Sequence, residues 1–344
     1  LIFTTEAPSL KAEWAVGSRH CPLTDEMRSR SVLIASVAAA TTLALVGLKQ
    51  PKTVALPSLG GSPTIPTAKA EANTIAKVRS YPRVPSHPQK IAALLNSVET
   101  ALRDPATAAG SLPDLGHQQQ VIYRVLSANP TLSSQVIAAL PAEWRSVAER
   151  HLAARGEFLR MGRSRRPTVL PAWRIIAPEP AENLLAYYRK AELATGIEWE
   201  VLAAVNLVET GMGRIDGISV ANAQGPMQFL PTTWAEAGIG HGNIRDPHDA
   251  IQAAARYLVR RGGLRDIRQG LWGYNNSDYY GRAVLLYASL MREDPLAYTG
   301  LYHWEIHFNA ADGDLWLPVG YNQAEPIDVK DYLKTHPTSR PPAN

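Results

Sequence analysis

Cysteine is almost missing. Cys21 is the only one in 344 residues, which excludes an internal disulfide framework and a zinc site built on paired thiolates. Long apolar runs are nearly missing too: only residues 32–48 approach the length that crosses a bilayer, so a multi-pass membrane protein is excluded. Charge is close to balanced, with 35 Lys+Arg against 31 Asp+Glu and a net +4. What the chain does have is apolar material, 45% of residues, enough for a sizeable core and too much for a wholly disordered protein.

The single apolar run follows Met27, Arg28, Ser29 and Arg30, the order of an export signal. Residues 27–48 are therefore expected to be a signal peptide or a membrane anchor, and residues 1–26 an upstream extension without structure. A small-x-small motif at Ala68-Lys69-Ala70 lies far beyond the run, which favours a retained anchor. Residues 49–90 place seven prolines among Ser, Thr, Ala and Gly with an excess of Lys and Arg, the composition of a basic linker.

Ile91, Leu94, Leu95, Val98 and Leu102 then recur at helical spacing, and further stripes run through Val121, Val136, Trp144 and Phe158. Residues 91–165 read as a helical spacer, closed by Arg163, Arg165, Arg166 and Pro167. Basic and aromatic residues are not interleaved on one face there, so no nucleic-acid partner is expected.

The chemistry begins beyond residue 166. A helix over 181–195 stops at Gly196. A second helix starts near Glu198 and carries Trp199, Leu202, Val205 and Glu209 on one face. Glu209 is either a helix-end glutamate or a carboxyl buried among apolar anchors, and burial would raise its pKa into the range of a general acid. Gly211 and Gly213 permit a sharp turn after it. Next, Gln224-Gly225-Pro226-Met227-Gln228-Phe229 puts amides and a thioether into a Gly/Pro-shaped turn, with Met227 and Phe229 open to a core role. Thr233 and Glu236 form a capping-box pattern. Asp246-Pro247-His248-Asp249 reads as a helix start, in preference to metal ligands. Tyr274 and Asn275 are placed in a loop before a helix over 282–291.

Four pieces in this order, Leu207-Val208-Glu209-Thr210-Gly211-Met212-Gly213-Arg214, Gln224-Gly225-Pro226-Met227-Gln228-Phe229-Leu230-Pro231-Thr232-Thr233-Trp234, Ala254-Ala255-Arg256-Tyr257-Leu258 and Tyr274-Asn275, resemble the lytic transglycosylases of the lysozyme-like superfamily. The likeness is nearest to the membrane-bound lytic transglycosylase B-like branch of actinobacterial type. Gly273 and Asn276-Ser277-Asp278 depart from the pattern.

The resemblance implies a mainly α fold, with a lysozyme-like α+β catalytic domain over 166–322. It also implies cleavage of the MurNAc-β-1,4-GlcNAc bond in peptidoglycan without water, giving 1,6-anhydromuramyl products. Glu209 would act as acid and then base, with Thr210, Gln224, Met227, Gln228, Tyr274 and Asn275 around the sugars and Tyr274 orienting Glu209. The expected partner is a peptidoglycan glycan strand, met by an exported monomer in the cell envelope without cofactor or metal. The alternatives are a hydrolytic muramidase and a catalytically silent wall-binding protein. The muramidase needs a second carboxyl, for which Asp216 is the nearest candidate, although turn chemistry explains it equally well.

After the catalytic core, alternation around Asp312-Gly313-Asp314 predicts a small β-hairpin, and a metal site on His303 and His307 is not expected. Residues 323–344 are expected to be a tail.

Overall fold

A computed structural model describes residues 79–161 and 166–342. The expected extension, export segment and most of the linker lie outside the described residues. Four helices come first: α1 (Pro88–Arg103), α2 (Leu112–Ala128), α3 (Pro130–Ala139) and α4 (Ala142–Met161). Proline at the first turn of α1 and α3 fixes the start of each, and the Asn129 side chain caps α3 by accepting from the Leu132 N–H.

Two short strands follow, β1 (Val169–Leu170) and β2 (Arg174–Ile175), then α5 (Ala181–Thr195), α6 (Trp199–Thr210) and β3 (Ile215–Asp216). The chain continues through α7 (Pro231–Trp234), α8 (Pro247–Arg260), α9 (Ile267–Asn275), α10 (Asp278–Glu293) and α11 (Ala297–Tyr302). It closes with β4 (Ile306–Ala310), β5 (Gly313–Leu317), β6 (Ile327–Asp328) and α12 (Val329–Thr335). The fold is mainly helical, as expected, and β4 and β5 form the expected antiparallel hairpin with Ile306 opposite Leu317. Two further antiparallel pairs, β1 with β6 and β2 with β3, are too short to leave a period in the sequence.

Residues 91–165 do not form a separate spacer. All the described residues belong to one compact unit, and α4 packs along α10. Ile91, Leu95 and Phe158 share a buried cluster with Leu202, Val205 and Val284. Polar contacts complete the seam: Gln119 Oε1 accepts from Trp304 Nε1 at 2.9 Å, and Gln120 bonds both the N–H and the carbonyl of Glu305. A buried amide with every partner supplied fixes one docking register.

The end of the expected linker is docked as well. Tyr81 is buried and donates to Asp314 Oδ2 at 2.7 Å, while Arg79 pairs with Asp114 and Glu305. At the other terminus the tail is corrected to an ordered segment, because Val329, Tyr332 and Leu333 are buried against Leu170, Ile306 and Leu317. No helix among the described residues is long and apolar enough to cross a membrane.

Candidate functional site

The last turn of α6 carries Glu209, and every apolar anchor expected on its face is buried. Gly211 ends the helix at φ 62°, a left-handed conformation that glycine adopts without cost, and Arg214 Nη1 donates to the Gly211 carbonyl at 2.9 Å. The Glu209 side chain is 7% exposed, so it is a buried acid and not a surface helix-end residue. Burial raises its pKa to about 7, against a lowering pull from the hydroxyl of Tyr280, which donates to Oε1 at 2.7 Å. A carboxyl held there is divided between acid and base at neutral pH and can act as either.

The loop over the end of α6 is clamped from below. Asn206 and Thr210, one turn apart, both donate to the Pro226 carbonyl, at 2.8 and 2.6 Å, and Tyr188 holds Asn206 in turn through a 2.6 Å bond. Gln224 and Phe229 exchange two backbone hydrogen bonds, of 2.8 and 3.0 Å, which pinch residues 225–228 into a tight turn. Gly225 sits there at φ 73°, and a Cβ on it would lie 2.0 Å from the Ile244 carbonyl oxygen. Gln228 is left-handed at φ 49° and its side chain bonds back to the Gly225 carbonyl. Among the described residues four non-glycines have positive φ: Met212, Asn222 and Gln228 follow Glu209 closely in sequence, and Asn276 is the C-cap of α9. Backbone strain of this kind costs about 1–3 kcal/mol per residue and concentrates at functional sites.

Several expected roles change. Thr210 is fully buried, so it positions the loop and does not line a sugar subsite. Met227 is fully buried too, and its backbone carbonyl accepts from the Tyr274 hydroxyl at 2.8 Å. That bond commits Tyr274 to the loop, so the residue orienting Glu209 is Tyr280, whose ring stacks on Tyr274 at 6.4 Å between centroids. Tyr274 and Asn275 do not lie in a loop; they end α9. The next helix starts at Asp278, four residues earlier than expected, because the Ser277 hydroxyl caps it. Gln224 and Gln228 are half-buried and Asn275 is exposed. The expected capping box at Thr233 also fails: α7 starts at Pro231 with Leu230 before it, and Thr233 lies inside its single turn.

The second candidate carboxyl, Asp216, is paired with Arg174 and Arg245 on the β2–β3 pair. Asp246, His248 and Asp249 bring ligand atoms within 4.8 Å of one another. Both ring nitrogens of His248 are already engaged, Nδ1 with Asp249 at 3.1 Å and Nε2 with the Lys190 ammonium at 2.9 Å, and Asp246 caps α8. The donor set fits a helix start better than a cation site. His303 follows α11 and is not on the strand that holds His307.

No curated protein and no solved structure matches the chain. Residues 186–279, which hold Glu209, its clamped loop, α8 and α9 and stop one residue short of Tyr280, match the family model described as the Transglycosylase SLT domain, and that match supports lytic transglycosylase activity on peptidoglycan.

Proposed function

We propose that this protein cleaves the MurNAc-β-1,4-GlcNAc bond of peptidoglycan non-hydrolytically, with Glu209 as its one catalytic carboxyl. The observation that carries the reading is the buried Glu209 carboxyl, poised at about 7 in the last turn of α6, whose neighbours Asn206 and Thr210 clamp an amide-bearing turn. In its acid form Glu209 protonates the glycosidic oxygen as the C1–O bond breaks and its electron pair passes to the departing GlcNAc oxygen. The resulting carboxylate takes the proton of the muramyl C6 hydroxyl, whose oxygen closes on C1 to form the 1,6-anhydro ring. Glu209 is thereby restored to its acid form.

Because Oε1 accepts the Tyr280 hydroxyl, the travelling proton is assigned to Oε2. Each transfer contributes about 10²–10⁴-fold. Gln224, Gln228 and Asn275 offer amides to the acetamido and hydroxyl groups of the sugars, while Thr210, Met227 and Tyr274 hold the turn that presents them.

The order of the four sequence pieces supports the membrane-bound lytic transglycosylase B-like branch. The basic-flanked run at 32–48 supports export to the cell envelope, with the chain working as a monomer on glycan strands. Digestion of purified sacculi followed by mass spectrometry of the soluble products tests the chemistry. Anhydromuramyl ends are expected. Reducing muramic acid ends would mean hydrolysis, with Asp216 as the carboxyl to examine next, and sacculus binding without release would mean a silent wall-binding protein.

A further inference from the structure

Helix α10 has two working faces. At about 100° per residue, Tyr280, Val284, Tyr287 and Met291 share the buried face, and Tyr280 there touches Glu209. Asp278, Arg282, Leu285 and Ser289 fall on the opposite face, where they line an open groove of about 540 Å³ between α4 and α9. On α10 the lining runs from Asp278 to Ser289, about 16 Å of helix.

The exposed indole of Trp272 stands in this groove, 52% accessible, projecting from α9 two residues before Tyr274. Arg282 is fixed beside it: its guanidinium is bonded to Glu157 at 2.9 and 3.0 Å and lies over the Tyr279 ring at 4.9 Å. Ser277 lines the groove too, in the link between α9 and α10, while Tyr280, three residues on, bonds Glu209 from the other face of α10.

We propose that this groove is an accessory saccharide site, which holds a second stretch of the glycan strand outside the catalytic site. The inference rests on the reading of the chain as a peptidoglycan enzyme. Its support is chemical. A sugar ring has apolar C–H faces and a polar equator, and the groove offers an open indole face with a guanidinium, carboxylates and hydroxyls along its length. A docked protein helix brings its own apolar anchors and needs a continuous apolar groove to receive them, whereas Glu157, Arg268, Asp278, Arg282 and two serines interrupt this one. The elongated, open form suits a polymer that passes through, not a small molecule to be enclosed.

Two measurements test it. In a pelleting assay with purified sacculi, Glu209→Gln is compared with the Glu209→Gln, Trp272→Ala double variant, so that no turnover interferes. Affinity is expected to fall about three- to tenfold on loss of the indole, and Trp272→Phe is expected to retain most of it. In activity assays Trp272→Ala is expected to lose turnover on sacculi selectively, relative to a soluble substrate of two disaccharide units that fills only the catalytic site. Unchanged pelleting overturns the proposal, as does an equal loss on both substrates. A wild-type protein that releases nothing from either substrate overturns the proposed reaction instead, and the groove then stands or falls on the pelleting result.

Discussion

The phenol of Tyr280 donates to Oε1 of Glu209 across 2.7 Å, joining the first turn of α10 to the last turn of α6 over 71 positions of sequence. Burial and this bond pull the carboxyl in opposite directions, and burial prevails, at a pKa of about 7. The acid is therefore set by the packing of two helices.

Glu209→Gln keeps the size of the side chain and removes its proton chemistry. Release of muropeptides from sacculi is expected to fall by at least about 10²-fold. The same variant carries a stability signature. A carboxyl whose folded pKa is raised binds a proton more tightly folded than unfolded, so wild-type stability is lost as pH rises from about 4.5 to about 7. The variant should melt at a higher temperature than wild type at pH 8, with the gap closing towards pH 4.5. A constant gap across that range would place Glu209 in water.

Tyr280→Phe removes a hydrogen bond that favours the ionised carboxyl and leaves the ring in place. The Glu209 pKa should rise by about one unit, the equivalent of roughly 1.4 kcal/mol. Since the first step needs the acid form, the alkaline limb of kcat/KM should move to higher pH by the same amount. Lower activity with an unmoved limb would reduce Tyr280 to a packing residue.

Gly225→Ala combines a left-handed backbone with a 2.0 Å approach to the Ile244 carbonyl. The turn must shift, at about 2–3 kcal/mol, which in a unit of this size lowers Tm by several degrees. Activity should fall further than stability explains, because the shifted turn carries Gln224 and Gln228. A neutral outcome in both assays would show that residues 225–228 are not held as described.

A second buried network contributes to the loss of stability in acid. Asp314 accepts from Arg124, from Tyr81 and from His307 Nδ1, so His307 Nε2 is left to accept from His117 Nε2–H at 3.0 Å. Burial holds His307 at about 4 and His117 well below its ordinary value. A histidine neutral when folded but free to charge when unfolded costs stability as pH falls below about 6.5, with the loss growing down to about 4. Melting temperature should drop over that window, and His117→Gln, which keeps a donor without a titrating ring, should flatten the slope. An identical slope in the variant would rule this pair out as its source.

Elements with local signals were legible from the sequence. Gly196 stops α5, Asp246-Pro247 starts α8, and the stripe through Trp199, Leu202 and Val205 carried Glu209 inward. The parts that escaped depend on partners remote in sequence. Tyr280 was missed because Asn276-Ser277-Asp278 read as a loop, although Ser277 ahead of a stripe at Tyr280, Val284 and Tyr287 is an available cap signal. Thr210 and Tyr274 bond to backbone carbonyls, which leave no mark in composition. Residues 91–165 looked self-contained because the glutamines that join α2 to Trp304 and Glu305, Gln119 and Gln120, are polar and fall outside any apolar period.

Arg79 and Tyr81 fasten the first described residues onto the other side of the sequence. Both reach more than 200 positions along the sequence, to Glu305 just before β4 and to Asp314 on β5, so prising residues 79–81 from the fold would break an ion pair and a phenol hydrogen bond to two carboxylates at once.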